Sequence, residues 1–399
     1  MRQSRSRFWY GCALMTLLCL IGCTGETGSS TAPASLSLVD ISPDGMAETA
    51  EPWLTVAPDG AVLMSYQRHE PVPAVEIRTL RNQLWSDSSS IVQSPDLMLN
   101  WADYPAVHAL TDQHWIAHWL HKVPGDVYAY HVYTSSTRNA GASWQPGQRL
   151  HADDSATEHG FVSLHGDPDE HGYFWLDGQR YAQNDPVMQL HHRVAGQNET
   201  VVDTRVCDCC QTAAAQTSSG PVVAYRDRSS EEIRDISLAR LTPEGWSTTT
   251  VAHDGWKISG CPVNGPAIAA RDTASDELAV AWFTGSPEPT VRLAFSQNGG
   301  QTFAPALNLN SSATVGRVDV AWIDQARVAV TWLSDNNMLV MRIVDAEGNL
   351  SPLYEVLPTS TTRGAGFPHL LYHNSILYFA WTDTSATDKQ VRVAVAKLP

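Results

Sequence analysis

The feature that most constrains the fold is a pattern that returns seven times along the chain. Each copy is an alternating apolar segment that ends in a large aromatic residue, and successive aromatics lie 49 to 57 positions apart. β-Branched and aromatic residues dominate these segments, and Gly, Pro, Asp and Asn flank them, which is typical of strands rather than helices. The seven aromatics are Tyr66, Trp119, Trp175, Tyr225, Trp282, Trp332 and Trp381.

Further apolar segments accompany each of these aromatics. One short segment precedes each aromatic, another follows it, and a weaker fourth segment is present in six of the seven copies. Four strands in a unit of about 50 residues are typical of the blades of a β-propeller. The sequence therefore predicts an all-β chain that folds as a seven-bladed β-propeller.

The last copy of the pattern is incomplete. It reaches Pro399 after only three strands, whereas the apolar segment 35–41 (SLSLVDI) precedes the first copy and has no place in it. We expect residues 35–41 to pair with residues 391–397 as the outer strand of the last blade, which would leave no open edge between the termini. Residues 35–399 are therefore predicted to form one propeller domain.

The N-terminal residues have the composition of an export signal. Arg2, Arg5 and Arg7 form a basic start, and residues 8–21 are predominantly apolar. This apolar stretch is shorter than the ~20 residues that a membrane-spanning helix needs, and it suits the hydrophobic region of a signal peptide. We therefore predict a signal peptide over residues 1–22.

A cysteine follows directly after this segment. Gly22-Cys23 resembles the end of a lipobox, where the chain is cut before a cysteine that then carries lipid. Residues 23–34 are rich in Gly, Ser and Thr without apolar periodicity, so we expect a flexible tether. No Asp follows Cys23, which by resemblance to Gram-negative sorting rules favours the outer membrane. An ordinary signal peptide that contains Cys23 by chance is the alternative.

The net charge restricts the classes of partner. The formal charge of the chain is −16 at pH 7, and an acidic surface repels nucleic acid and anionic lipid headgroups. We therefore expect no nucleic-acid ligand. Attachment to a membrane through the lipid anchor, and a glycan or protein ligand on one face of the propeller, both agree with this charge.

Two turns between predicted third and fourth strands share a motif. Residues 137–144 (TRNAGASW) and 296–303 (SQNGGQTF) place a hydroxyl residue, Asn, Gly and an aromatic residue at the same spacing. Asn can bond its neighbouring backbone, Gly accepts a positive φ, and the aromatic ring can pack back on the blade. The motif positions are Asn139, Gly141, Trp144, Ser296, Asn298, Gly300, Thr302 and Phe303.

This motif resembles the Asp-box of the BNR-repeat, sialidase-like propellers, with Asn in place of Asp. The resemblance implies a folding device on the face away from the active site, so it bears on architecture and not on activity. Sialidases of this type have six blades, which makes a six-bladed propeller the alternative fold. They also carry a Phe/Tyr-Arg-Ile-Pro segment near the start, which this sequence lacks.

The resemblance also implies where catalysis would occur. In such propellers, the loops that lead into the innermost strands and those that leave the second strands share the working face. A sialidase-like hydrolase of acidic sugars needs a carboxylic acid, a Tyr or carboxylate nucleophile and an arginine cluster. For the arginines, pairing with nearby aspartates is the alternative. The catalytic candidates in these loops are Asp103, Tyr104, Glu158, Arg226, Arg317 and Arg363.

Four cysteines form the most unusual reactive group. Cys207, Cys209 and Cys210 lie in a CDCC run before the predicted innermost strand of the fourth blade, and Cys261 precedes that of the fifth. Because neighbouring innermost strands lie side by side, we expect Cys261 within bonding reach of the run. Exported cysteines are usually paired or bound to metal. Disulfides and a soft-metal site for copper or zinc both remain open.

These features leave three candidate functions. The first is a non-catalytic binding or scaffold protein that is tethered at the cell envelope and carries a cysteine-rich face. The second is a sialidase-like glycoside hydrolase, and the third is a protein that handles copper or redox equivalents. Trp101 and Trp256 are the aromatics best placed to contact a sugar or peptide. His131, inside a predicted strand, is expected to be a packing residue.

The lipid anchor predicts a simple change in localisation. We expect Cys23→Ser to release the processed protein from the membrane, or to leave an unprocessed precursor, because the lipid is attached to this sulfur. Fractionation of cells that express both forms measures this. A Cys23→Ser protein that is processed normally and stays with the membrane would contradict the lipobox interpretation.

Overall fold

A computed structural model of the protein describes residues 34–398. The predicted signal peptide, Cys23 and all of the tether except Ala34 lie outside the described residues. Residues 34–398 form 30 strands and two short 3-10 turns, Gln179–Gln183 and Arg363–Ala365. No helix in this part of the chain is long and apolar enough to cross a membrane.

The strands form seven sheets arranged as the blades of a propeller, antiparallel except at one short edge strand, which confirms the predicted fold and rules out the six-bladed alternative. Within each blade the strands follow one another from the axis outward. Blades one to three contain β3 (Thr49–Val56), β4 (Val62–Arg68), β5 (Ala74–Arg81), β6 (Leu84–Trp85) and β7 (Ser89–Gln93); β8 (Val107–Ala109), β9 (Trp115–Lys122), β10 (Tyr130–Thr137) and β11 (Gln148–Arg149); and β12 (His159–Gly166), β13 (His171–Asp177), β14 (Met188–Val194) and β15 (Thr200–Val206). Blades four to seven contain β16 (Ala213–Thr217), β17 (Gly220–Arg226), β18 (Ile236–Thr242) and β19 (Gly245–Thr250); β20 (Ala267–Ala270), β21 (Leu278–Thr284), β22 (Thr290–Ser296) and β23 (Leu307–Asn308); β24 (Thr314–Trp322), β25 (Arg327–Ser334), β26 (Met338–Asp345) and β27 (Tyr354–Pro358); and β28 (His369–His373), β29 (Ile376–Asp383) and β30 (Gln390–Lys397).

The N-terminal segment closes the ring as expected, although it is divided into two strands. β2 (Val39–Asp40) pairs antiparallel with β30 and completes the seventh blade, with Val39 opposite Val395. β1 (Ala34–Ser35) instead pairs in parallel with β27, outside the sixth blade. The segment changes blade between the two strands because Leu36 and Leu38 pack into the apolar core between the sixth and seventh blades.

The apolar core consists of seven clusters, one at each junction between neighbouring blades. The cluster between the seventh and first blades joins β29 and β30 to β3 and β4. The junction between the first and last blades of the chain is therefore packed like the other six. Each repeated aromatic lies in the second strand of its blade. Trp175 and Trp282 have no exposed surface, whereas Trp381 is only half-buried. The aromatics are therefore regularly spaced because each blade places one of them at the same position, where it packs against a neighbouring blade.

The two motif turns have the same internal hydrogen bonds. Asn139 Oδ1 accepts from Thr137 Oγ1 at 2.7 Å and from the Ser143 backbone N–H at 2.9 Å. In the second turn, Asn298 Oδ1 accepts from the Ser296 hydroxyl and the Thr302 backbone N–H, both at 3.0 Å. The Asn side chain thus supplies the acceptor that closes each turn. Kinship of these turns with the Asp-box stays a prediction.

A glycine in each turn is required by both its φ angle and its neighbours. Gly141 and Gly300 have φ values of 80° and 81°. A Cβ atom on Gly300 would lie 2.3 Å from Leu238 Cδ2, and one on Gly141 would lie 2.8 Å from Trp115 Cζ3. Each turn therefore packs directly on the core of its own or the adjacent blade, and no other residue fits these positions without displacement.

Alanine substitutions at two glycines separate these two effects. Gly196 has a φ of 79°, and a Cβ atom added there would have no neighbour within 4 Å, so it differs from Gly300 in the contact alone. We expect Gly196→Ala to lower the free energy of unfolding by ~1 kcal/mol for the φ angle. Gly300→Ala should lower it by ~2–4 kcal/mol, because the clash in the core adds to this strain. Equal losses in denaturant titrations would show that the turn does not pack as described.

Candidate functional site

One face of the propeller collects loops from every blade. The loops that lead into the innermost strands and those that join second to third strands emerge together on this face, which we call the top face. It holds every catalytic candidate and all four cysteines predicted from the sequence. The two motif turns lie at the other ends of their strands, on the opposite face.

Three innermost strands carry a β-bulge where they leave the top face. In β3, β12 and β24 the pairing register shifts, and Glu51, Phe161 and Arg317 have φ values of 53°, 53° and 55°. Bulges redirect the backbone locally. The Phe161 N–H donates to Asp103 Oδ2 at 2.7 Å, and the Arg317 N–H donates to Asn264 Oδ1 at 2.8 Å. Each acceptor belongs to the preceding blade, so these bulges link neighbouring blades around the axis.

A cavity of about 120 Å³ lies on the axis, enclosed by the innermost strands. Most blades contribute a small residue to its wall, but three contribute Trp53, Asp319 and His369. Nε2 of His369 lies 3.6 Å from Asp319 Oδ2, and the rings of Trp53 and His369 have centroids 4.1 Å apart. Burial lowers the pKa of His369 and raises the pKa of Asp319. The axis therefore holds an imidazole and a carboxylate beside an indole.

Four half-buried aromatic residues surround the top-face end of this axis: Trp53, Trp101, Tyr104 and Phe367. We call them the axial aromatic cluster. Trp53 stacks on Tyr104 with a centroid separation of 5.7 Å, and Trp101 stacks on Phe367 at 6.0 Å. Burial raises the pKa of Tyr104, which keeps its hydroxyl protonated. The cluster offers flat apolar faces next to polar groups, as in many ligand sites.

Arg317 and Arg363 both lie over Trp101, with guanidinium carbons 5.2 and 5.8 Å from the ring centre. Only Arg363 is exposed. Nη1 of Arg317 donates to the carbonyls of Thr362 and Gly366 at 3.0 and 2.7 Å, and burial lowers its pKa to about 10. Arg317 therefore fixes the loop that leads into the seventh blade, whereas the guanidinium of Arg363 is exposed above Trp101.

Arg226 has a similar structural role between the fourth and fifth blades. Its side chain is 1% exposed and lies over the ring of Trp256 at 4.8 Å. The three guanidinium nitrogens donate to backbone carbonyls of Asn264, Arg234 and Phe283 at 2.9, 2.6 and 2.7 Å. The expected pairing with aspartates is therefore replaced by carbonyl contacts. The guanidinium groups of Arg226 and Arg317 donate to backbone carbonyls instead. Neither group is therefore available to bind a substrate carboxylate through two hydrogen bonds.

The acidic candidates lie together with a tyrosine that the sequence did not single out. Tyr130, the first residue of β10, donates its hydroxyl to Glu158 Oε1 at 2.6 Å. Burial raises the pKa of half-buried Glu158 to about 7. Burial, reinforced by the charge of Glu158, raises the pKa of Asp103 well above its usual value. This group could exchange a proton near neutral pH, as a general acid does.

The structure brings the four cysteines together. The sulfur atoms of Cys207, Cys209 and Cys210 all lie within 4.8 Å of one another. Cys261 lies close enough to Cys209 for that thiol to lower the pKa of Cys261, so the two loops meet. All four are unpaired in the structure, with Cys207 and Cys210 buried and Cys261 exposed. The arrangement places the exposed thiol of Cys261 beside a group of two buried thiols and one half-buried thiol.

Charged side chains support this cysteine group. Arg234 Nη1 donates to Cys207 Sγ at 3.3 Å, while Arg228 pairs with Asp208 at 3.1 Å and with Glu232 at 2.9 Å. Burial opposes ionisation of Cys207, but hydrogen bonds from neighbouring thiols and nearby positive charge lower its pKa well below the usual value. A thiolate at this position is the form of cysteine that binds metals.

Sequence reasoning missed Trp53, Asp319, His369 and Tyr130 as site residues. One signal was present: Pro52, in β3, and Pro368, just before β28, directly precede Trp53 and His369. Aligning the innermost strands on these prolines would have placed both residues on the axis. Nothing in the sequence distinguishes Tyr130 from the other aromatics of its strand, since its role depends on a loop from the next blade.

Comparison with known proteins shows the class to which the fold belongs. No known protein family matches the chain in sequence, and no curated protein matches it. Among solved structures, it is similar to a protein of unknown function from Dyadobacter fermentans, with a TM-score of 0.53, 12% identity, and coverage of 92% of this chain and 99% of that one.

Two further structural neighbours are enzymes of glycans. Polysaccharide lyase Uly1 has a TM-score of 0.52 at 8% identity, with 94% of each chain covered. The α-L-arabinofuranosidase of Fusarium graminearum, solved with arabinobiose, has a TM-score of 0.51 at 13% identity and covers 91% of this chain and 97% of that one. Sialidases occur among the lower-scoring neighbours. At these identities the likeness shows a shared propeller fold.

The structural role of Arg226 predicts a loss of stability on substitution. Arg226→Met should lower the free energy of unfolding by about 3–5 kcal/mol, because each buried acceptor left unpaired costs about 1–3 kcal/mol. Arg363→Met is the matched control, since Arg363 is exposed, and it should change stability by less than about 0.5 kcal/mol. Chemical denaturation of both variants measures this. Equal stability of the two variants would return Arg226 to the list of candidate ligand-binding arginines.

Proposed function

We propose that this chain is an envelope-anchored propeller that binds a glycan at the axial aromatic cluster. The observation that carries the proposal is the axial aromatic cluster: Trp53, Tyr104 and Phe367 line the axial cavity, and Trp101 stacks on Phe367 beneath the exposed guanidinium of Arg363. Aromatic faces pack on the apolar faces of sugar rings, and a few convergent polar groups orient the ligand.

The chemistry around the cluster favours a glycan with an acidic substituent. Arg363 is the exposed cation next to Trp101, and a guanidinium pairs well with a carboxylate or sulfate. The overall charge of −16 argues against a polyanion that spreads over the whole face. The polysaccharide lyase and the arabinofuranosidase are named for glycan chemistry. A glycan is therefore the ligand class to test first.

Binding is favoured over sialidase-type hydrolysis because of the arginines. Arg226 and Arg317 direct their donors to backbone carbonyls of neighbouring loops. The hydrolase alternative rests on Glu158, whose pKa near 7 and contact with the Tyr130 hydroxyl suit a general acid. Lipid attachment at Cys23 would hold either activity at the outer membrane.

A second function is supported by the cysteine group. We propose that Cys207, Cys209, Cys210 and Cys261 bind a soft metal ion, copper or zinc. Three sulfurs lie within 4.8 Å of one another, and Cys261, whose pKa Cys209 lowers, could add a fourth thiolate ligand. Thiolates select Cu(I) and Zn²⁺. Disulfide bonds between the same residues are the competing outcome in an oxidising compartment.

The glycan proposal predicts the effect of removing one aromatic face. The processed full chain should quench its tryptophan fluorescence on titration with acidic oligosaccharides, and Trp101→Ala should weaken binding at least about tenfold, equivalent to roughly 1.4 kcal/mol. Tyr128→Ala is the control, because Tyr128 is 58% exposed on a top-face loop of the second blade and outside the cluster. Equal weakening by both variants would contradict a site at the axis. If the wild type cleaves the oligosaccharide and Glu158→Gln does not, the result would favour the hydrolase.

The cysteine proposal predicts a metal content. Protein purified without oxygen should contain copper or zinc in near-integral amount, and Cys261→Ser should reduce that amount or weaken its retention against a chelator. Elemental analysis with a thiol count measures this. Protein without metal, with fewer than four titratable thiols and a loss of about 2–5 kcal/mol in Cys261→Ser, would establish a disulfide instead.

A further inference from the structure

The wall of the axial cavity has an uneven distribution of charge. Among the described residues that line it, Asp319 is the one acidic residue, and lysine and arginine are absent. Arg317 and Arg363 instead lie over Trp101. At about 120 Å³ the cavity is much larger than the ~10–15 Å³ that a single water molecule needs. A small ligand group of positive charge therefore matches the cavity in both size and sign.

Backbone hydrogen bonds orient the carboxylate of Asp319. Its Oδ2 accepts the Leu370 N–H at 2.7 Å, and its Oδ1 accepts the Val320 N–H at 2.8 Å. Because a carboxylate offers about four lone-pair sites, both oxygens can accept further hydrogen bonds. Within residues 34–398, the ion-pair contact of Asp319 is with His369 at 3.6 Å, and not with a lysine or an arginine. Asp319 therefore still lacks the close cationic partner that a carboxylate away from water favours.

Two further acceptors in the cavity wall have unused hydrogen-bonding capacity. His369 Nδ1 and Gln211 Oε1 are buried and have no hydrogen-bond partner among the described residues. The amide nitrogen of Gln211 is already used, because it donates to the Val162 carbonyl at 3.1 Å. If the ring proton of His369 is on Nε2, facing Asp319, Nδ1 carries a lone pair. A ligand that donates hydrogen bonds would satisfy these atoms, and buried acceptors without a donor are costly.

Aromatic rings line the top-face end of the same cavity. Trp53, Tyr104 and Phe367 belong to its wall. The ring of Trp53 lies 5.7 Å from that of Tyr104 and 4.1 Å from that of His369, measured between centroids. Burial raises the pKa of Tyr104 and the charge of Asp319 raises it further, so these two residues lie within electrostatic reach. Aromatic faces attract a cation that lies within ~6 Å of the ring centre.

We infer that the axial cavity binds a protonated amino group of the glycan, so that the preferred ligand carries a free amine in addition to its acidic substituent. The ammonium donates to Asp319 and His369, and the faces of Trp53 and Tyr104 contact it. The inference rests on the proposed glycan site for the position of the sugar ring. Arg363 and Asp319 then bind groups of opposite charge on one ligand. An acylated nitrogen is neutral and is not selected.

Two small probes that differ in one group test the inference. Methyl glucosaminide carries an ammonium group where methyl glucoside carries a hydroxyl. In calorimetric titrations of the processed full chain, below the pKa of the amine, the glucosaminide should bind at one site per chain. Its affinity should exceed that of the glucoside at least about tenfold, because a charge-assisted hydrogen bond and a cation–π contact both favour the ammonium. Equal affinities, or no binding of either probe, would overturn the inference.

A matched pair of substitutions assigns the preference to the cavity. Asp319→Asn should reduce the ratio of the two affinities to about one, because the amide keeps the size of the side chain and removes its charge. Asp335→Asn is the control, since Asp335 is exposed on the loop between β25 and β26 of the same blade. It removes the same charge from the top face and should retain the ratio. An equal loss in both variants would attribute the preference to the overall charge of −16 and contradict the cavity site.

A competition experiment with the wild type applies if Asp319→Asn folds poorly. Methylammonium chloride should weaken binding of the glucosaminide more than sodium chloride does at the same concentration. The reason is that methylammonium donates N–H groups and packs on aromatic faces, whereas sodium only screens charge. Equal effects of the two salts would overturn the inference.

Failure of this inference is distinguishable from failure of the glycan proposal. If acidic oligosaccharides bind and Trp101→Ala weakens them, while the amine gives no advantage, the glycan proposal stands and the amine site is wrong. If the amine is preferred and Asp319→Asn removes the preference, while acidic oligosaccharides do not bind, the amine site stands and the acidic-glycan proposal is wrong.

Discussion

The pairing of β2 with β30 is the contact on which the rest of the molecule depends. It joins Val39 and Asp40 to the last strand of the chain and places the first and seventh blades against each other with the same kind of apolar cluster as the other six junctions. A propeller with an open junction would expose strand edges and apolar surface on two blades. Every feature of the top face combines residues from at least two blades, so each one requires a closed ring.

Contacts on the top face stabilise this ring near the axis. Arg226 joins the fourth and fifth blades, and Arg317 joins the sixth and seventh, in both cases through backbone carbonyls. Asp103 and Asn264 accept backbone N–H groups from the blades that follow them. Polar groups that would otherwise mark a catalytic centre thus hold loops in place. Arg363 and the axial aromatic cluster take no part in these contacts and can therefore bind a ligand.

The repeated aromatics predicted the blades correctly because each one packs in the core of a blade junction, where spacing is dictated by blade length. Segment 35–41 was also placed correctly on the last blade, although the sequence could not show that Leu36 and Leu38 divide it into two strands. The β-bulges at Glu51 and Phe161 have no sequence signature, because they arise from contacts with neighbouring blades. For the same reason Tyr130 was missed, because its contact with Glu158 depends on a loop that only blade packing brings to it.

The central claim is that the top-face end of the axis is the ligand site, and a crystal structure with a bound oligosaccharide tests it most directly. The oligosaccharide should be the one bound most tightly in solution. The account predicts a sugar ring stacked on Trp101 or Trp53, with an acidic substituent within hydrogen-bonding distance of Arg363. Clear density for the oligosaccharide between blades or on the opposite face, with the axial aromatic cluster contacting no sugar, would contradict it.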